Sequence, residues 1–164
     1  MVIVIFSDSH GYREDMRAII SYLRPDAVFH LGDDVQDAKV ISSLFPKLIV
    51  ESVAGNSLSD VMSGEKKTKY VEYEGIRMML THGHDYRVKY TAGILADAAR
   101  ENNANIAFFG HSHEAFDETI QGVRCVNPGA MMVSYQAPRS YAVLKCDKNR
   151  YEIKTISLKE PDRW

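Results

Sequence analysis

Cysteine is scarce in this chain, and so is any bias of charge. The two cysteines among 164 residues, Cys125 and Cys146, both lie in apolar, strand-like stretches. They read as buried thiols of a reduced compartment, with a single disulfide as the alternative. Acids and bases interleave and nearly cancel, leaving a formal net charge of −2, so no electrostatic footprint for nucleic acid or a membrane surface is present. The densest basic run, Lys66-Lys67-Thr68-Lys69, is short, follows Glu65 and reads as a solvated loop. No apolar run approaches a membrane span. The opening Met-Val-Ile-Val-Ile-Phe is too short for a secretory signal and carries no basic residue. These absences point to a cytoplasmic protein. Hydrophobic content of 45% and charged content of 26% are those of a soluble globular chain. The length suits a single domain over 1–164 that buries a core without metal or disulfide staples.

What is present is an alternation of strands and helices that later changes rhythm. Val2–Ser7 is a β-branched and aromatic run, as expected of a strand buried on both faces. Arg13–Leu23 carries Met16, Ile19, Ile20 and Leu23 at helical spacing and is stopped by Pro25. A strand over Asp26–Leu31, a helix over Asp37–Phe45 and a strand over Lys47–Val53 follow. This order argues a parallel sheet with crossover helices. Ser57–Thr68 reads as an exposed, mobile loop. Tyr70–Tyr73 and Ile76–Thr81 flank Glu74-Gly75 as a hairpin. A helix over Tyr90–Arg100 and a strand over Asn105–Phe109 come next. Antiparallel meanders close the chain: Ala115–Ile120 with Val123–Val126, then Ser140–Cys146 with Tyr151–Leu158. The fold class is α/β, two packed mixed sheets flanked by helices.

All six histidines sit in or beside short turns rich in Asp, Gly or Asn, most of them after a strand-forming run. In order these turns are Asp8-Ser9-His10, His30-Leu31-Gly32-Asp33, Thr81-His82-Gly83-His84 and Gly110-His111-Ser112-His113, with Gly55-Asn56 adding an oxygen donor. Side chains at i and i+2 of an extended segment point the same way, so Asp8 with His10, and His111 with His113, each aim at one point. Taken singly, Asp8 and Asp33 also read as helix N-caps, Asn56 as a turn residue and Asp34 as a cap or solvated acid. Taken together, they place carboxylate, amide and imidazole donors at the carboxyl ends of strands, where α/β sheets bind ligands. That is too many donors for one tetrahedral zinc, and it suits two divalent ions sharing a carboxylate.

The ordered set Ser-Asp-Ser-His-Gly, His-Leu-Gly-Asp, Gly-Asn, Thr-His-Gly-His, Phe-Gly-His-Ser-His and Asn127-Pro128-Gly129-Ala130 resembles the calcineurin-like metallophosphoesterase superfamily, in its small bacterial and archaeal phosphodiesterase branch. The resemblance implies a four-layer αββα sandwich. It implies one metal ion on Asp8, His10, Asp33 and His113, and another on Asp33, Asn56, His82 and His111, with Asp33 bridging. It also implies hydrolysis of phosphodiesters by a hydroxide that bridges the two ions and attacks phosphorus in line. Manganese heads the candidate ions, with nickel, zinc, iron and cobalt as alternatives suited to the same donors.

One departure stands out. The family's Gly-Asn pair is commonly followed by His, or in the small branch by Cys-Asp; here Ser57-Leu58-Ser59-Asp60 follows. The residue usually assigned to assist the leaving group is absent, and serine has no useful pKa for that task. Esters with good leaving groups are therefore the expected substrates. His84 is the candidate catalytic acid, or else a hydrogen-bond partner behind a ligand. Asn56 and His84 are also placed to contact substrate. His30 reads as a packed histidine, and Asn127-Pro128-Gly129 as a supporting turn. Two alternatives remain at this level: a protein-interaction scaffold on the same fold, as in retromer-type subunits, and a phosphomonoesterase. The expected partner is a small phosphoester, with a homodimer contact through Met131-Met132-Val133 and Tyr135 as a further candidate and an ordinary core strand as its competitor.

Overall fold

The run Val2–Phe6 forms β1 at the centre of a five-stranded sheet, its last four side chains wholly buried. Both faces of such a strand are covered, which explains why its residues do not alternate. The computed structural model describes residues 1–134 and 137–158. β1 lies parallel to β2 (Ala27–His30), with Phe6 opposite His30, and β2 lies parallel to β3 (Ile49–Ser52). Helices α1 (Arg13–Leu23) and α2 (Val35–Leu44) make the two crossovers. α1 buries Met16 and Ile20 and ends with Arg24 in the left-handed region, just before Pro25. α2 starts two residues earlier than its apolar spacing implies, because the Asp34 side chain accepts the Gln36 N–H and caps it.

A short helix α3 (Leu58–Met62) leads into the second sheet, built from β4 (Thr68–Tyr73), β5 (Ile76–Thr81), β6 (Ile106–Phe108), β7 (Ala115–Ile120) and β8 (Val123–Pro128), in the order β4-β5-β6-β8-β7. β5, β6 and β8 run parallel, and α4 (Gly93–Glu101) links β5 to β6. The final hairpin, β9 (Ser140–Asp147) and β10 (Arg150–Ser157), does not extend this sheet. It returns to the first one and pairs β9 antiparallel with β1. Both sheets are thus mixed.

Between the sheets lies a core of Ile3, Ile5, Phe29, Leu80, Phe108, Val126 and Leu144, in which the Phe29 and Phe108 rings meet edge to face at 6.2 Å. Each of these large side chains contributes about 1.5–3 kcal/mol by leaving water. Val4, Phe6, Met16, Ile20, Val28 and Ile41 pack on the outer face of the first sheet, and Met79, Leu95, Ala99 and Cys125 on that of the second. The result is helix, sheet, sheet, helix: the four layers expected.

Three expectations need correction. The segment 57–68 is not simply a loop: it carries α3, buries Asp60 and begins β4 at Thr68. Its polarity reflects capping and a buried carboxylate rather than solvation. Helix α4 begins at Gly93, three residues late, after a single 3₁₀ turn over His84–Tyr86. Met131 is wholly buried against the first sheet, which removes it from any surface contact; Met132 and Val133 are half-buried, and Tyr135 lies outside the described residues. Among the described residues no helix is long and apolar enough to cross a membrane.

Candidate metal centre

Five strands deliver the candidate residues to one edge. Asp8 and His10 follow β1, Asp33 follows β2, Asn56 follows β3, His82 follows β5, and His111 and His113 follow β6. Backbone bonds tie the turns together. Asp8 N–H donates to Gly32 O at 3.0 Å, His10 N–H to Asp33 O at 3.2 Å, and Gly110 N–H to His82 O at 3.0 Å. Gly32 has φ +94°, and a Cβ there would lie 2.6 Å from the Gly55 nitrogen. Only glycine lets the second and third turns approach this closely.

The convergence holds, but not for the reason the i, i+2 spacing suggests. Asp8, His10, Asp33, His111 and His113 all adopt left-handed backbone conformations, with φ of 51°, 41°, 44°, 67° and 62°. Non-glycine residues rarely do so, and each such residue costs roughly 1–3 kcal/mol unless the surroundings compel it. Five of the seven candidate ligands are thus presented from strained turns rather than from extended strand ends.

Around Asp8 the arrangement is tight. Its Oδ2 accepts Ser7 Oγ–H at 2.6 Å and His111 N–H at 3.1 Å. Its Oδ1, buried, forms no hydrogen bond, although His113 Nε2 lies at 3.1 Å and His82 Nε2 at 3.8 Å. Asp33 behaves alike. Its Oδ1 accepts the N–H groups of Asn56 and Ser57, both at 2.9 Å, while its Oδ2 lies 3.4 Å from His82 Nε2 and 4.0 Å from His10 Nε2. His82 Nδ1–H donates to Leu31 O at 2.8 Å, which fixes the tautomer and turns the Nε2 lone pair toward Asp33, Asp8 and Asn56 Oδ1, the last at 3.1 Å. In each case one atom is pinned and the other is left facing the same space. Asp8, His10 and His113 bring ligand atoms within 4.8 Å of one another, and so do Asp8, Asp33 and His82. The His111 ring meets that of His82 at 5.1 Å and that of His84 at 6.1 Å. All eight candidate residues are therefore gathered at one edge.

These residues fit divalent cations. A buried carboxylate oxygen without a hydrogen bond, facing an imidazole lone pair and two further oxygens, is unfavourable unless positive charge lies among them. In the protein alone, protons meet part of that need. Burial works against charge on His82, but the hydrogen bond and charge of Asp33, with the charge of Asp8, raise its pKa. The Asp8 carboxylate beside it raises that of His113. Asp33 is held well below the usual carboxylate range: burial opposes this, and the bond and charge of His82 overcome it. His111, desolvated and beside His82, is pushed down to about 4 and is neutral at pH 7.

Residues that sequence reasoning passed over hold the turns in place. Ser9 Oγ–H donates to buried Asp37 Oδ2 at 2.8 Å, which also accepts Gly11 N–H at 2.8 Å. His30, packed as expected, accepts Gly32 N–H at Nδ1, so its Nε2–H donates to Ser9 Oγ at 2.9 Å. Asn127 closes β8 and donates Nδ2–H to Gly110 O and Ser112 Oγ, the supporting role expected of it. No spacing marks Ser7, Asp37 or Asp60 as anything but a strand-end or surface polar residue. Ser57 is the N-cap of α3, its hydroxyl accepting Asp60 N–H. His84 is half-buried beside His82, its Nδ1 buried without a hydrogen bond and its Nε2 3.4 Å from Asp85 Oδ1.

Residues 1–149 match the calcineurin-like phosphoesterase superfamily domain. A probable metallophosphoesterase of Bacillus subtilis is 30% identical over 158 residues, covering 94% of this chain and 89% of the relative. One of Mycoplasma pneumoniae is 32% identical over 134 residues, covering 80% and 79%. A phosphodiesterase of Methanocaldococcus jannaschii is 24% identical, covering 92% and 96%. Among solved structures, a predicted phosphoesterase from Streptococcus pneumoniae superposes with a TM-score of 0.76 at 25% identity, covering 95% of this chain and 88% of that one. Vps29 of Entamoeba histolytica, solved with zinc, superposes at 0.72 and 17% identity, covering 96% and 99%. With its donor-lined strand ends and this match over most of its length, the chain belongs to the calcineurin-like phosphoesterase superfamily.

Proposed function

We propose that the chain is a metal-dependent phosphodiesterase that holds two divalent ions. One is held by Asp8, His10, Asp33 and His113, and the other by Asp33, Asn56, His82 and His111. The observation that carries this reading is Asp8 Oδ1, buried and without a hydrogen bond while Ser7 and His111 saturate Oδ2. Asp33 is the bridge in this reading, because its Oδ2, on the side away from the Asn56 and Ser57 N–H groups, faces both His10 and His82. Manganese is the first candidate ion, since carboxylate, amide and imidazole donors suit it. Bound divalent ions polarise a phosphoryl oxygen and lower the pKa of water that attacks phosphorus.

The chain's own residues do the rest. Asp8 and Asp33 are the carboxylates at the heart of the site, so two divalent ions leave it net positive and attractive to a phosphate anion. Asn56, exposed at the rim, is placed to contact substrate as well as an ion. His84 is the candidate proton donor to the leaving group. Desolvation lowers its pKa, so it is weakly populated as an acid at neutral pH. Ser57 cannot assist, since a serine hydroxyl has no useful pKa for that task; its oxygen instead accepts Asp60 N–H as the cap of α3.

The test is hydrolysis of bis(p-nitrophenyl) phosphate by chelator-stripped protein, with manganese, nickel, zinc and magnesium restored in turn and p-nitrophenyl phosphate run in parallel. Metal-restored cleavage favouring the diester supports the proposal. Preference for the monoester makes the chain a phosphomonoesterase. Ser57, a helix cap rather than a proton donor, favours one further reading, a weakly active or inert scaffold, which two-ion binding without turnover of either ester would select.

A further inference from the structure

A buried carboxylate that takes no part in the chemistry stands directly behind the proposed bridge. Asp60, 1% exposed, projects from α3 into the space between the second and third turns. Its Oδ2 accepts Asp33 N–H at 2.9 Å and Gly55 N–H at 2.6 Å, and its Oδ1 accepts Val35 N–H at 2.8 Å. Three backbone donors from two separate turns thus close on one side chain. Asp33 repeats the pattern in the opposite direction, its Oδ1 accepting the N–H groups of Asn56 and Ser57. The turn bearing Asp33 and the turn bearing Asn56 are therefore laced together twice, once by each carboxylate. Asp33 can keep its strained φ of 44° because its own N–H and both neighbours' donors are occupied.

We infer that Asp60 is a positioning residue for metal binding: it locks the Asp33 and Asn56 turns together so that Asp33 Oδ2 and Asn56 Oδ1 face the same ion as His82 Nε2. This inference rests on the two-ion reading above and adds to it the reason for α3. Ser57 caps the helix, the helix carries Asp60 inward, and Leu58, Val61 and Met62 are left exposed on its outer side. The four-residue interval from Asn56 to Asp60 is thus a structural unit. Ser57 thus serves a brace, as the cap of the helix that carries Asp60.

A charged acceptor cannot be replaced by its amide here. In Asp60→Asn the amide oxygen can serve one side of the carboxylate, but the NH2 group then confronts a backbone N–H. Partners that orient metal ligands typically change affinity by about 10- to 100-fold when mutated. Manganese binding to chelator-stripped protein, followed by isothermal titration calorimetry, tests the inference. Wild type is expected to take up two ions. Asp60→Asn is expected to keep native circular dichroism and to weaken the ion on Asn56, His82 and His111 by about 10- to 100-fold, and the other ion by less. Should this variant fail to fold, Asp60→Ser, whose hydroxyl keeps one acceptor and leaves room for water, is judged by the same criterion. Two ions bound at wild-type affinity by the folded variant overturn the inference. An equal loss at both sites that tracks a fall in melting temperature also overturns it, since Asp60 then acts on the fold as a whole. Failure of wild type itself to bind two ions would strike the two-ion reading instead, so the two failures are told apart.

Discussion

The Ser7 hydroxyl donates to Asp8 Oδ2 at 2.6 Å, wholly inside the protein, and so selects which oxygen of Asp8 faces the site. Gly110 makes room for this pair: a Cβ there would lie 1.8 Å from Ser7 Oγ and 2.7 Å from Asp8 Oδ2. Gly110→Ala is expected to lose about 1–3 kcal/mol by overpacking. It should also turn Asp8 away from its partners. Ser7→Ala is expected to lose a similar amount, roughly 1.5–3 kcal/mol, as a bond to a charged group disappears. Denaturant melts and manganese titration check both, and wild-type stability in Gly110→Ala would show that the turn yields freely.

Asp33→Asn removes the charge shared by the two proposed ions and leaves an amide NH2 facing either His82 or the Asn56 and Ser57 N–H groups. Metal uptake should drop from two ions to one or none, with activity on an activated diester falling at least 100-fold. Unchanged turnover at saturating manganese would exclude Asp33 as the bridge.

Protonation and metal binding compete at unequal strength. His82 and His113 have raised pKa values, so entering ions must displace their protons at and somewhat above pH 6.5; His111, held at about 4, yields its lone pair without that penalty. Metal affinity should therefore fall as pH drops through the raised values of His82 and His113. The metal-free protein behaves oppositely. A raised histidine pKa contributes stability that is complete below the unfolded value of 6.5 and is lost as pH climbs through the folded value. Asp8 and Asp33, both lowered, contribute stability above their unfolded values and lose it as pH falls through the folded ones. The melting temperature of metal-free protein should thus decline above neutrality, while that of loaded protein rises or holds. Calorimetry in two buffers of different ionisation enthalpy should register the released protons. No proton release at pH 6.5 would contradict the assignment of His82 and His113 as ligands.

Much of this was legible in the sequence because strand-forming runs and the turns after them are adjacent in the chain. Val2–Phe6 followed by Asp8, and Ile106–Phe108 followed by His111 and His113, announce both an element and what it carries. Pairing between sheets was not legible. Nothing local says that β9 returns to β1 rather than beside β8, since that choice is made by burial of Ala142 and Leu144 between the sheets. Left-handed backbone at Asp8 or Asp33 was equally hidden, for it is imposed by distant partners such as Gly32 O and Asp60. Asp60 looks like a surface acid because the donors it satisfies, at Asp33, Val35 and Gly55, are 5 to 27 residues away.

Ser57→His puts a potential proton donor directly after Asn56, and two effects then oppose each other. Histidine cannot accept Asp60 N–H as the serine hydroxyl does, so α3 loses its cap at a cost of about 0.5–2 kcal/mol. The Asp60 brace loosens with it. If leaving-group protonation limits turnover, an alkyl or ribose-like phosphodiester should nevertheless be cleaved about 10²–10⁴-fold faster, the usual worth of a positioned acid, while bis(p-nitrophenyl) phosphate, whose leaving group needs little help, should gain nothing. The ratio of the two rates separates chemistry from stability, because a loosened site slows both substrates alike. His84→Ala completes the comparison. If His84 already supplies the proton, its loss should slow the alkyl ester selectively in the parent and much less in Ser57→His. An alkyl-to-aryl rate ratio that moves in neither variant would place the limiting step outside proton transfer.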